Sequence, residues 1–285
     1  MDIRINGKTA DITLETEKTV GEVLSGIQNW LEESELFVSA LELDGKTYGA
    51  GAIDGVFSLG VEGISVMEIR TSGWAELLLE ALVTLRNDLE FYEQLPQGEQ
   101  QECRKRWEHS VPALFLAKNA PDIHNAALKT LDTVFSAAGT IGLIAERIRE
   151  LEKPREEMAA LKPLVDEIAK RLEDLPLDVQ TGKDAQAAET ITLFSGLTEK
   201  IFRLLVLFKH FGTNLENIEV SSMDGTEKLS LKVYIEEFSA ALKEFIAAYE
   251  NSDTVLAGDL AEYELAPRLR FLASALYGIN AEEGK

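Results

Sequence analysis

The sequence predicts an α+β chain that is mostly helical, with a small sheet-bearing domain over residues 1–72 followed by an all-helical bundle over residues 73–285. Three observations carry this. Up to residue 72 apolar and polar side chains alternate with period two around one amphipathic helix; beyond it the apolar residues recur at three and four; and 285 residues are enough to bury a core in both parts.

The elements follow in order. Ile3 and Ile5 alternate with Asp2, Arg4 and Asn6, and Ile12 and Leu14 repeat the pattern after the turn signal Asn6-Gly7, which is a β-hairpin. Thr19 and Glu22 are spaced as a capping box, in which each side chain satisfies the other residue's free backbone amide. Val20, Val23, Leu24, Ile27 and Leu31 then mark the apolar stripe of a helix. Phe37, Leu41 and Leu43 alternate up to a turn at Asp44-Gly45, a short stretch runs from Lys46 to Tyr48, and a glycine-rich connection leads to a last strand around Ile64 to Ile69. The order is ββαββ.

That order resembles the ubiquitin-like β-grasp, and the resemblance extends to the phrases Gly7-Lys8-Thr9, Thr19-Val20-Gly21-Glu22-Val23 and Leu43-Asp44-Gly45-Lys46. The resemblance covers the N-terminal quarter and implies a fold shared by binding modules, sulfur carriers and enzymes. The chain departs from ubiquitin where the conjugating tail would be. After Ile69-Arg70-Thr71-Ser72 it continues into Gly73-Trp74, with no free Gly-Gly end to activate. Ile64 and Val66 share one phase of the last strand while Met67 and Ile69 share the other, so this strand carries apolar residues on both faces. Met67 and Ile69 are therefore expected to be covered by the helical region or to form a partner-binding surface.

Beyond residue 72 six to eight helices are expected. Trp74, Leu78, Ala81, Leu85, Leu89 and Tyr92 form one stripe before Pro96, and Cys103, Trp107, Val111 and Leu114 a second before Ala120-Pro121. A longer helix is expected from Leu128 through Leu131, Phe135, Ala138 and Ile148 to Leu151, with Gly139 and Gly142 inside it and Pro154 beyond its end. Met158, Leu161, Val165, Ile168, Leu172 and Leu175 make a narrow seam ending before Pro176, and Leu231, Ile235, Phe238, Leu242, Phe245 and Tyr249 make another. Between them, Ile191, Phe194, Leu197, Ile201, Leu204, Leu205 and Phe208 mark the most apolar helix, expected at the centre of the bundle. Residues 212–227, with Asp224-Gly225, read as a long loop holding a small hairpin, and the tail from Ala281 to Lys285 as frayed.

Composition narrows the function. With 28 Lys plus Arg against 50 Asp plus Glu the net charge is −22, which disfavours nucleic acid and anionic lipid surfaces. The opening residues carry charge where a signal peptide is apolar, and no run approaches the roughly 18 apolar residues of a membrane span, so a cytoplasmic chain with no membrane insertion is expected. Cys103 is the single cysteine, which excludes an internal disulfide.

Local chemical signatures are sparse. His109, His124 and His210 lie far apart with no HExxH spacing, so neither a metal nor another cofactor is expected. Arg104, Lys105 and Arg106 beside Cys103 would lower its pKa if the sulfur were exposed, but its register with Trp107 points to burial. Thr181-Gly182-Lys183-Asp184 lacks the first glycine and the hydroxyl residue of a phosphate loop. Asp259, Glu262, Tyr263 and Glu264 crowd together before Pro267, either as a solvated face or as a site for a basic partner. No catalytic residue stands out. The expectation is a non-enzymatic adaptor or scaffold binding other proteins through its β-grasp and helical surfaces. An acidic chaperone for an exported substrate would instead show an apolar groove on the helices, and an enzyme assembled from distant helices a closed pocket with converging polar groups.

Overall fold

The computed structural model describes residues 1–12, 16–34, 36–132, 136–222 and 226–282, so Leu14, Phe135, Asp224-Gly225 and the last three residues of the tail lie outside the described residues. The chain divides into two compact units, Met1–Leu151 and Glu152–Lys285.

The first unit opens with β1 (Asp2–Ile5), β2 (Lys8–Thr9), α1 (Val20–Glu33), β3 (Leu36–Leu43), β4 (Lys46–Gly49) and β5 (Val66–Gly73). The sheet order is β2-β1-β5-β3-β4, with β1 parallel to β5 and the other pairs antiparallel. This mixed sheet with one crossing helix is compatible with a β-grasp-like fold. Both hairpin turns put two residues at positive φ, Asn6-Gly7 (50° and 77°) and Asp44-Gly45 (46° and 87°), which is the backbone a two-residue hairpin requires. The capping box forms as expected: Thr19 N donates to Glu22 Oε2 at 3.1 Å and Glu22 N to Thr19 Oγ1 at 3.3 Å.

Register decides which face of the sheet is apolar. Ile3 pairs with Met67 and Leu43 pairs with Met67 on the other side, while Ile5 and Leu41 flank Ile69. Together with Val20, Val23, Leu24, Ile27 and Leu31 of α1 they enclose the core, and Met67 and Ile69 are 0% exposed. Contrary to both expectations, Met67 and Ile69 therefore neither line an outer, partner-binding face nor lie under the helices beyond residue 72: they are the centre of the α1-facing layer. The opposite face carries Arg4, Glu42, Glu68 and Arg70, with Arg4 paired to Asp2 at 2.7 Å and Arg70 to Glu42 at 3.0 Å. It is polar.

A β-bulge between Val38 and Ala40 reverses the phase of β3, so Leu36 and Val38 join Leu41 and Leu43 on the core side. Phe37 points away and meets Phe115 edge to face, with centroids 6.3 Å apart. The connection between β4 and β5 folds over the start of α1. Val20 N donates to Leu59 O and Gly21 N to Phe57 O, both at 2.9 Å, which satisfies helix N-terminal donors with loop carbonyls. Gly21 is required by this contact, since a Cβ there would lie 3.1 Å from both Cβ and O of Phe57. Gly21→Ala is expected to cost about 1–3 kcal/mol in urea unfolding, whereas Gly26→Ala, with open space around it, is neutral or stabilising. Equal effects of the two substitutions would contradict the close approach.

Eleven α-helices follow Gly73 among the described residues, more than expected because local stops divide the stripes. In the first unit these are α2 (Trp74–Tyr92), α3 (Gln97–Glu108), α4 (Val111–Asn119), α5 (Pro121–Asp132) and α6 (Ala138–Glu152). The α2 stripe is buried from Leu78 to Tyr92 as expected. Ser110 caps α4 by accepting from Ala113 N, with Pro112 in the first turn, and this new start resets the phase. Trp107 is buried, but Val111 and Leu114 are exposed, so the second stripe is two helices and not one. The longer helix expected from Leu128 to Leu151 is likewise two, α5 and α6.

The second unit contains α7 (Pro154–Ala160), α8 (Lys162–Gln180), α9 (Asp184–His210), a hairpin of β6 (Glu219–Ser221) and β7 (Lys228–Ser230), α10 (Leu231–Glu250), α11 (Thr254–Asp259), a π-helical segment (Leu260–Leu265) and α12 (Ala266–Glu282). Its core takes Val165, Ile168, Leu172 and Leu175 from α8 and Phe194, Leu197, Ile201, Leu204, Leu205 and Phe208 from α9. In α10 the buried seam is Leu231, Tyr234, Phe238, Ala241, Phe245 and Ala248, which leaves Tyr249 exposed at its flank. α8 does not stop at Pro176. It continues to Gln180, and the proline ring packs against Gly258 of α11, where a Cβ would come within 3.1 Å.

Candidate functional site

The first unit holds a groove of about 770 Å³ between α1 and the β1–β2 hairpin. Val23, Ile27 and Trp30 recur at helical spacing along one side of α1, and Ile5, Ala10, Ile12 and Leu36 supply the rest of the apolar lining. Lys8, Asp11 and Glu17 bring charge to it. Trp30 is 51% exposed although it adjoins apolar neighbours in the groove. Trp30 was not among the residues singled out from the sequence. It lies three residues after Ile27 and directly before the buried Leu31, at the edge of the helical stripe.

In the second unit Glu262, Tyr263 and Glu264 lie within the π-helical segment and Asp259 directly precedes it. Pro267 has no N–H for the Tyr263 carbonyl, and its ring would crowd that carbonyl in an α-helix, which accounts for the wider turn there. Asp259 is exposed, and Tyr263 is 60% exposed. The Tyr263 hydroxyl bonds to the Glu262 carboxylate, which, with the charges of Glu262 and Asp259, raises its pKa above the usual tyrosine value. Glu264 turns away and pairs with Arg268. Asp259, Glu262 and Tyr263 are thus brought together, with Asp259 and Tyr263 exposed and Glu262 partly buried.

The other residues weighed for chemistry have structural partners. Cys103 is half-buried in α3, and its thiol pKa is raised, first by burial and then by the Asp88 carboxylate, against a smaller opposing effect of Arg106. Arg104 is engaged by Glu108 at 2.8 Å and by Asp132. Iodoacetamide should therefore modify native Cys103 slowly at neutral pH, with a rate that keeps rising through the alkaline range. A rate that levels off near neutrality would contradict this environment.

His124 stacks on Trp107 with ring centroids 5.4 Å apart, and His109 Nδ1 lies 2.9 Å from Lys105 O. Among the described residues no group of three or more His, Cys, Asp or Glu is placed to hold a metal ion. Thr181 to Asp184 form the turn from α8 to α9: Gly182 has φ +72°, Lys183 N donates to Asp178 O at 2.8 Å, and Lys183 Nζ reaches the buried Asp178 carboxylate at 3.1 Å. Its glycine and lysine therefore serve helix termination. No helix of the described residues is long and apolar enough to cross a membrane.

Residues 1–73 match the family described as the TP0873 N-terminal domain, and residues 156–273 match a domain of unknown function, DUF8042. The chain is similar to an uncharacterized protein of Treponema pallidum (strain Nichols), 21% identical over 279 residues that cover 97% of this chain and 96% of the relative. No solved structure matches.

Proposed function

We propose that this protein is a non-enzymatic cytoplasmic adaptor whose N-terminal part is a ubiquitin-like β-grasp domain, and that it holds a protein partner in the groove between α1 and the β1–β2 hairpin. The observation that carries this reading is Trp30, an aromatic side chain left half exposed beside an apolar groove. Binding energy at protein interfaces concentrates in such residues, with tryptophan, tyrosine and arginine over-represented. The groove lies on the sheet-bearing unit and its lining is mostly apolar, which favours recognition of an apolar surface. The test is capture from extract of the native cell by the full chain and by Trp30→Glu. The wild-type chain should retain a protein that Trp30→Glu does not, while the two melt alike. Retention of the same proteins by both would contradict the reading.

A further inference from the structure

The groove adjoins a strand edge that has no further strand paired to it among the described residues. β2 is one of the two edge strands of the sheet, β4 being the other, and β1 is its strand neighbour. Lys8 stands opposite Ile5, and Ala10 N donates to Ile3 O at 2.8 Å, so the intervening Thr9, opposite Arg4, directs its own N–H and C=O away from β1. An edge of this kind is a template for a further strand. The groove runs beside it, so a chain paired with Thr9 would send alternate side chains toward Ile27 and Trp30.

Charge defines the occupant further. Residues 1–73 hold thirteen Asp or Glu against five Lys or Arg. Asp11 and Glu17 stand among the groove residues beside Lys8. A positively charged segment is complementary to this field, and an acidic one is repelled. We propose that the groove takes an extended segment of a partner protein that pairs with β2 at Thr9, places an apolar side chain against Trp30 and carries lysine or arginine beside it. This rests on the adaptor reading and names the chemistry of its partner.

The experiment is selection from a displayed library of random short peptides on the full chain, with counter-selection on Trp30→Glu, whose folding is verified by its melting curve. Peptides that depend on Trp30 should alternate apolar residues with Lys or Arg, and N-methylation of the backbone nitrogen facing Thr9 should weaken a selected peptide at least about tenfold. Trp30-dependent peptides that are acidic, that carry apolar residues at helical spacing, or that tolerate N-methylation would overturn this inference and leave the adaptor reading standing. A second copy of the chain as the occupant would appear as a dimer lost in Trp30→Glu, and would likewise overturn it. Absence of any Trp30-dependent peptide overturns it too, and if capture from extract is also insensitive to Trp30→Glu, the adaptor reading fails with it.

Discussion

Replacing Met67 with aspartate lowers the stability of the chain by roughly 3–5 kcal/mol, because it sets a carboxylate with no partner between Ile3, Leu43 and the apolar side of α1. Met67 is 0% exposed, so water cannot solvate the charge without opening the sheet from the helix. Trp30, Trp74 and Trp107, all in the first unit, make tryptophan fluorescence in urea a direct readout. Met67→Leu preserves volume and apolar character and should cost less than about 1.5 kcal/mol. An unchanged transition for Met67→Asp would contradict the β1–β5–β3 register.

Phe238→Ala produces a loss of similar size in the second unit. Phe238 is 0% exposed on α10 and meets Phe194 and Phe202 of α9 edge to face, with centroids 6.4 and 6.3 Å apart. Removing the ring deletes both contacts and leaves a void that neighbouring helices fill only in part, a change of about 3–5 kcal/mol. Far-ultraviolet circular dichroism in urea reads it through the helices. Tyr249→Ala, on the exposed flank of the same helix, should change stability by no more than about 0.5 kcal/mol beyond its stacking on Phe245. If the two substitutions had equal effects, the seam through Tyr234, Phe238 and Phe245 would be misplaced.

What could be read from the sequence was what depends on neighbouring residues. The Thr19–Glu22 capping box, the Asn6-Gly7 and Asp44-Gly45 turns and the α2 and α9 stripes are set by interactions within a few positions of the chain. What escaped depends on residues far apart. Alternation shows that β5 is apolar in both phases near Val66 and Met67, but the pairing with Ile3 and Leu43 decides which phase faces α1. One extra residue in the β3 bulge sends Phe37 to the side opposite Leu41, which a strict period of two cannot express. Ser110 and Pro112 were available as a helix start between Trp107 and Leu114, yet equal spacing across them imitated one continuous stripe. Pro176 reads as a stop, and α8 passes through it with Gly258 of α11 leaving space for the ring. The acidic cluster at Asp259 to Glu264 was legible as composition, whereas the groove beside Trp30 was not, since its opposite wall comes from the β1–β2 hairpin.

The adaptor reading requires that the surface around Trp30 contact another protein in the cell. A photo-crosslinking amino acid placed at position 30 of the full chain, with the same group at Arg70 on the polar face of the sheet for comparison, tests it most directly. Irradiation in the native cell should yield an adduct of defined mass from position 30 and none of that mass from position 70. Equal adducts from both positions, or none from position 30, would contradict it.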